Sequence, residues 1–149
     1  MRCVASFVLL LASCTACAAI AATVSFATLA KGLASGVGQP TQIVVRSQHD
    51  WAALWSRHMR TPIAPPPPPS VDFSRDMVVG LFMGERPTGG YAIEITRIER
   101  TDQGLSVHYR TSLPDPSAIQ TQALTQPFHL VTVPRVDDPV TFVDESPAR

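Results

Sequence analysis

Six short runs of strand length, separated by turn-forming residues, place the strongest constraint on how this chain can fold. They cover residues 41–46, 77–83, 91–98, 105–110, 128–133 and 140–143. The third run alternates, with Tyr91, Ile93 and Ile95 on one side, whereas residues 77–83 are apolar throughout and predict a central strand buried on both faces. With mostly short links, the pattern predicts an α+β fold: a small antiparallel β-sheet of five to six strands with one packed helix.

The helix is predicted just after residues 41–46. Ser47 is a suitable N-cap with Asp50 three places on, and Pro62 would end the helix. Helical spacing places one apolar face on Trp51, Leu54, Trp55 and Met59. The tryptophans could form a ligand platform, but at this spacing a core role is favoured. Residues 65–69 are five prolines, which predict an extended connector.

The first thirty residues have a different composition. No charged residue lies between Cys3 and Ala30, and an apolar stretch over residues 4–11 follows Arg2. Residues 11–14 (LASC) resemble the bacterial lipobox, in which the cysteine accepts the lipid. We therefore predict a leader over residues 1–21 with the mature start at Cys14, and an exported protein that is lipid-anchored at the cell envelope, in the periplasm or at the cell surface.

Two other readings of the leader stay open. Residues 16–18 or 19–21 could form an ordinary signal-peptidase site and release a soluble protein. The uncharged stretch to Ala30 is also long enough to remain as a membrane helix. Residues 22–39, rich in Ala, Gly and Ser, are predicted to be a flexible tether, followed by a domain over residues 40–145.

Charge and cysteine content exclude several classes of protein. The formal net charge is zero, and no basic patch is visible, so nucleic acid is not expected as a partner. Cys3, Cys14 and Cys17 all precede the domain, which excludes a disulfide scaffold or a cysteine nucleophile within it. The glycines match neither a P-loop nor a dinucleotide fingerprint, and no cofactor is expected.

The histidines and serines show no catalytic pattern. His49 and His58 lack a same-face ligand spacing, and His108 and His129 are expected on solvated polar strand faces, so no metal site is predicted. Ser106 shares a strand face with His108, and Asp102 is nearby in sequence, but no serine lies in a strained strand-to-helix turn. We predict that the chain is not an enzyme.

The most distinctive segment is residues 84–91 (GERPTGGY), between the two strongest strand patterns. Its structural interpretation is a hairpin loop, in which Pro87 fixes one φ and two glycines supply positive φ. Its functional interpretation is a rigid exposed loop that offers hot-spot side chains to a partner. The candidate binding residues are Arg86, Thr88, Gly89, Gly90 and Tyr91.

This segment also carries a family resemblance. Residues 71–73 (VDF), 77–80 (MVVG), 84–91, 93–95 (IEI) and 123–134 (ALTQPFHLVTVP), with the helix at 51–55, resemble the PrcB C-terminal domain family over most of residues 41–136. The family's namesake is an exported accessory lipoprotein that associates with a secreted subtilisin-like protease. The resemblance implies a protein partner such as an exported protease, and it supplies no catalytic residues.

A second, shorter similarity concerns the same loop. Residues 86–91 (RPTGGY) look like the NPTTGY loop of chagasin-type cysteine-protease inhibitors, although the other two inhibitory loops have no counterpart. The sequence thus predicts a non-enzymatic exported accessory or binding protein that associates with and stabilises a secreted protease. The alternative is a protease inhibitor acting through residues 86–91.

Overall fold

The computed structural model describes residues 21–60 and 66–147. Its elements are β1 (Ala22–Thr23), β2 (Ala27–Gly32), β3 (Thr41–Val45), α1 (Gln48–Met59), β4 (Asp76–Phe82), β5 (Ala92–Thr101), β6 (Gly104–Ser112), β7 (Phe128–Pro134) and β8 (Val140–Asp144). Cys14, Pro62 and Pro65 lie outside the described residues.

The strands form two sheets. One has the order β1-β5-β6-β8 and the other β2-β7-β4-β3, each with four strands. All pairs are antiparallel except β6 with β8, which run parallel. The α+β class is confirmed, but the prediction of one antiparallel sheet with five to six strands is wrong: the described residues contain eight strands in two sheets. Alternating patterns identify strands without showing which strands pair, and this is why a single sheet was expected.

β4 forms the centre of a three-layer arrangement. Met77, Val79 and Leu81 face the β1-β5-β6-β8 sheet, in a core shared with Ile95 and Val107. On its other face, Val78 and Phe82 pack in the cluster that contains the helix residues. Since a strand covered by a sheet on one face and a helix on the other is buried throughout, the continuous apolar pattern is explained and the prediction is confirmed.

The helix begins as the sequence predicts. The Ser47 hydroxyl oxygen accepts from the Asp50 backbone N–H at 3.1 Å and caps α1. Trp51 is 0% exposed and Trp55 8%, and their indole N–H groups donate to the carbonyls of Pro69 at 2.9 Å and Pro66 at 2.8 Å. The tryptophans are therefore core residues, which the proline segment covers while supplying the acceptors that buried indoles need.

The segment over residues 22–39 corrects another prediction. β1 pairs with β5, β2 pairs with β7, and Val37 is buried against the helix cluster. These residues belong to the folded unit, which begins before residue 40, and the prediction of a flexible tether is wrong. The strands are rich in Ala and Thr, and none of their residues is fully buried, so their sequences lack the apolar alternation that reveals a strand.

Candidate functional site

Residues 84–91 connect the two sheets. β4 lies in one sheet and β5 in the other, so the segment is not the hairpin loop that the sequence suggested. Positive φ occurs at Gly84 (75°) and Gly90 (83°). Gly89, the other glycine for which the sequence predicts a positive φ, has none and is buried. A Cβ added at Gly90 would lie 2.7 Å from Pro114 Cβ, so only glycine fits there without displacement.

This loop is clamped to the neighbouring segment over residues 121–125. The Arg86 N–H donates to the Thr125 carbonyl at 2.7 Å, and the Thr125 N–H donates back to the Arg86 carbonyl at 2.9 Å. The Gly89 N–H donates to the Thr121 carbonyl at 2.9 Å. The Thr125 hydroxyl adds a bond to the Thr88 carbonyl at 2.8 Å. Four hydrogen bonds fix the loop, so its conformation is set before any partner arrives.

The five candidate binding residues occupy different positions in the loop. Thr88 is half-buried and donates its hydroxyl to the Gly89 carbonyl at 3.1 Å. Gly90 is exposed and follows the bend at residues 87–89. The Arg86 guanidinium lies over the Tyr91 ring, 5.8 Å from its centroid, and both side chains are half-buried. Arg86 and Tyr91 therefore form the pair that can make side-chain contacts, and Thr88 with Gly89 shapes the loop.

Arg86 has spare hydrogen-bonding capacity. Its Nη2 donates to the Met83 carbonyl at 2.9 Å, and within the described residues this is the one hydrogen bond that the Arg86 side chain makes. Its Nε is buried and has no partner there. No salt bridge reaches this guanidinium from the carboxylates in residues 21–60 and 66–147. Because a half-buried cation gains from a counter-charge, the position suits an acceptor or anion from outside the chain.

Arg86 separates two hollows on the surface. The larger is an open groove of about 520 Å³ between β3 of one sheet and β6 of the other. Its lining includes Leu81, Met83, Ile93, Gln42, Tyr109 and Asp144. The smaller, of about 370 Å³, lies between Arg86, Tyr91 and Leu113. Leu113 is 49% exposed, so an apolar side chain already faces solvent beside the cation.

Sequence reasoning missed the polar wall of the groove. The Gln42 amide donates to the Tyr109 hydroxyl at 3.2 Å, across the gap between the sheets. Burial, followed by the nearby charge of Asp144, raises the pKa of Tyr109. These residues come from β3, β6 and β8, which are distant in sequence. No local motif marked them, because the groove exists only once the two sheets are stacked.

His129 is buried, contrary to the prediction of a solvated strand face. It is 2% exposed. Its Nδ1 accepts from the Ile95 N–H at 2.9 Å, and its Nε2 lies 2.9 Å from the Thr28 hydroxyl oxygen. Because Nδ1 is an acceptor, the neutral ring carries its proton on Nε2. Burial first, then Lys31, lowers the pKa of His129 against the opposing effect of Glu94. The ring joins the two sheets.

His108 is also buried, at 8% exposure, and this too corrects the prediction. Its Nδ1 is 3.1 Å from Glu145 Oε1. Its Nε2 is 3.1 Å from Glu99 Oε2 but makes no hydrogen bond there. Arg97 Nη2 contacts the same Glu145 oxygen at 2.7 Å. The charged neighbours cover the ring and link β5 to the residue that follows β8.

The structure does not assemble the serine–histidine–acid combination considered from the sequence. The Ser106 hydroxyl lies 3.3 Å from that of Thr141, whereas His108 contacts the carboxylates of Glu99 and Glu145. Asp102 is exposed in the turn between β5 and β6. Within the described part of the chain, no group of three metal-binding side chains comes together.

Fold and site together define a two-sheet domain with a clamped loop and an open groove. Among known families, residues 77–134 match the sequence model described as PrcB C-terminal. The match runs from β4 through the loop to the end of β7, and over those residues it confirms the resemblance predicted from the sequence. Neither a curated protein nor a solved structure matches the chain.

Proposed function

We propose that this chain is a non-enzymatic binding protein, exported to the cell envelope, that contacts and stabilises a secreted protease. The observation that carries the proposal is the clamped loop, which holds Arg86 beside the open groove and, with Tyr91, beside the smaller hollow. Arg and Tyr are among the residues that contribute most to protein interfaces. A loop that is already fixed loses little conformational entropy on binding.

The protease as partner rests on the resemblance to the PrcB C-terminal family. The matched segment contains the whole loop and the residues 121–125 that clamp it, so the similarity covers the loop assigned to binding. Thr88 directs its hydroxyl toward Gly89 and is half-buried. This placement supports contact through Arg86 and Tyr91 rather than a loop tip wedged into a protease cleft.

The non-enzymatic part of the proposal is supported by the polar side chains. Ser106 pairs with Thr141, and His108 is enclosed by charged neighbours, so neither has the nucleophile–base geometry of a hydrolase. Substrate turnover by the purified full chain, abolished by a single substitution, would contradict this part.

Export and anchoring rest on the sequence of the leader. No helix in the described part of the chain has the length and apolar character needed to cross a membrane. A lipid on Cys14 would supply the attachment. Mass spectrometry of the mature N-terminus tests this directly: a diacylglyceryl mass on Cys14 is expected, and a mature start at any other residue contradicts it.

The binding surface can be tested by site-specific photo-crosslinking in intact cells. A benzoyl-phenylalanine in place of Tyr91 is expected to cross-link a protease, and the same probe at exposed Thr141 on β8 serves as the control. Arg86→Ala should weaken the captured complex at least tenfold, whereas Arg110→Ala, exposed on β6, should leave it unchanged. Equal cross-linking at both positions, or none at position 91, would refute the proposed surface.

A further inference from the structure

β3 is an edge strand of its sheet. The order β2-β7-β4-β3 leaves it with one neighbour. In an antiparallel ladder, residues that exchange hydrogen bonds alternate with residues that do not. The Met83 N–H donates to the Pro127 carbonyl, and the Arg135 N–H donates to the Arg75 carbonyl. Odd-numbered residues of β4 therefore direct their backbone groups toward β7, and even-numbered residues direct theirs toward β3.

This alternation identifies the free backbone groups of β3. Gly80 faces β3 and pairs with Ile43, so the N–H and C=O of Ile43 point into the sheet. The same groups of Gln42 and Val44 point outward. Within the described residues, no backbone hydrogen bond from another segment reaches them. Two residues of β3 thus present donors and acceptors with the spacing that a further strand requires.

Hollows lie on both faces of this edge. The groove beside Gln42 and Tyr109 is on the face toward the other sheet. A second hollow of about 310 Å³, lined in part by Val45, Leu54 and Arg57, is on the helix face. Successive side chains of a strand point to opposite faces. A strand added at β3 would therefore place alternate side chains in the two hollows.

The positive charge of Arg86 in the groove indicates the type of one side chain of the added strand. Arg86 lines the groove at the end of β3 that begins with Thr41, and within the described chain it has neither a salt bridge nor a partner for Nε. A carboxylate is the group that matches a guanidinium in both charge and hydrogen-bonding geometry. The side chain that enters this end of the groove would then be acidic.

From this edge, its two hollows and Arg86, we propose that β3 receives an extended segment of the partner protein as an added strand, with an Asp or Glu side chain of that segment bound to Arg86. The inference rests on the proposed function and specifies how the partner is held. Backbone hydrogen bonds to Gln42 and Val44 supply affinity, and the two hollows with Arg86 supply specificity.

The test starts from a displayed library of random heptapeptides selected on the full chain in mild detergent. The best peptide is then synthesised with an acetylated N-terminus and an amidated C-terminus, so that side chains carry its only carboxylates. Binding is expected to weaken about tenfold or more when its acidic residue becomes the amide, or when Arg86→Gln is introduced. Arg110→Gln is the matched control and should leave the affinity unchanged.

Amide hydrogen exchange supplies a readout that does not depend on substitutions. The bound peptide should raise the protection of the Gln42 and Val44 amides and leave that of Ile43, already bonded to Gly80, unchanged. The proposal is overturned if no peptide is selected, if the selected peptides lack an acidic residue or need a free C-terminus, or if the two amides gain no protection. If one of these results is obtained while a protease is still cross-linked at position 91, only strand addition at β3 is refuted. If no protease is cross-linked at position 91, the proposed function itself is refuted.

Discussion

The buried ring of His129 on β7 should be a principal connection between the two sheets, through its hydrogen bond from the Ile95 N–H on β5. Replacing it with leucine fills the site with an apolar side chain of comparable size but leaves the Ile95 N–H without its acceptor. Removing the acceptor of a buried donor costs about 1–3 kcal/mol, more than the net value of about 1 kcal/mol of an ordinary hydrogen bond. His129→Leu is therefore expected to lower the free energy of unfolding by roughly 1–3 kcal/mol.

Urea unfolding followed by the fluorescence of Trp51 and Trp55 measures this loss, because both indoles are buried in the native state. Thr28→Val is the matched control: it removes the other contact of the same ring. Because that bond is only part-buried and Thr28 is exposed, water can replace the lost hydroxyl, and the change should cost about 1 kcal/mol or less. The double variant should resemble His129→Leu alone. A loss for His129→Leu no larger than that of Thr28→Val would refute the assignment of the Ile95 bond.

Three further outcomes are expected. Burial lowers the pKa of both His58 and His129 below the ordinary 6.5. The unfolded chain therefore binds more protons in acid than the folded chain does, and the free energy of unfolding should be fully present above about pH 7 and decline as the pH falls below 6.5. Urea unfolding at pH 7.5, 6.0 and 5.0 measures this. Gly90→Ala should cost roughly 1–3 kcal/mol in the same assay because of its positive φ and its contact with Pro114, whereas Gly38→Ala, with open space around its Cβ, should cost little. Trp55→Phe should cost about 1–3 kcal/mol through the unpaired Pro66 carbonyl and the lost volume.

Local patterns predicted the elements that carry their own signature. Ser47 and Asp50 marked the start of the helix, and the unbroken apolar run of β4 marked a strand covered on both faces. β1 and β2 carry no such signature, because their Ala and Thr side chains bury little apolar area. The same limit explains His129: its burial is imposed by the second sheet, and the sequence of β7 alone cannot show that.

The candidate site divides in the same way. Arg86 and Tyr91 were recognised as candidate binding residues from the sequence, because the nearby proline and glycines mark the segment as a loop. Gln42 and Tyr109 were not, since they meet only when β3 and β6 face one another. A groove between sheets is a product of topology, and its residues have no common local pattern.

If Cys14 carries the proposed lipid, the pairing of β1 with the end of β5 would orient the molecule at a membrane. With a lipid on Cys14, eight residues reach Ala22, a span of at most about 29 Å, and β1 lies beside Glu99 and Arg100. The turn that follows β5 would therefore be the part of the domain next to the bilayer. Ala92, at the opposite end of β5, adjoins the loop and groove, so the recognition surface would stand away from the lipid and open toward proteins moving through the envelope.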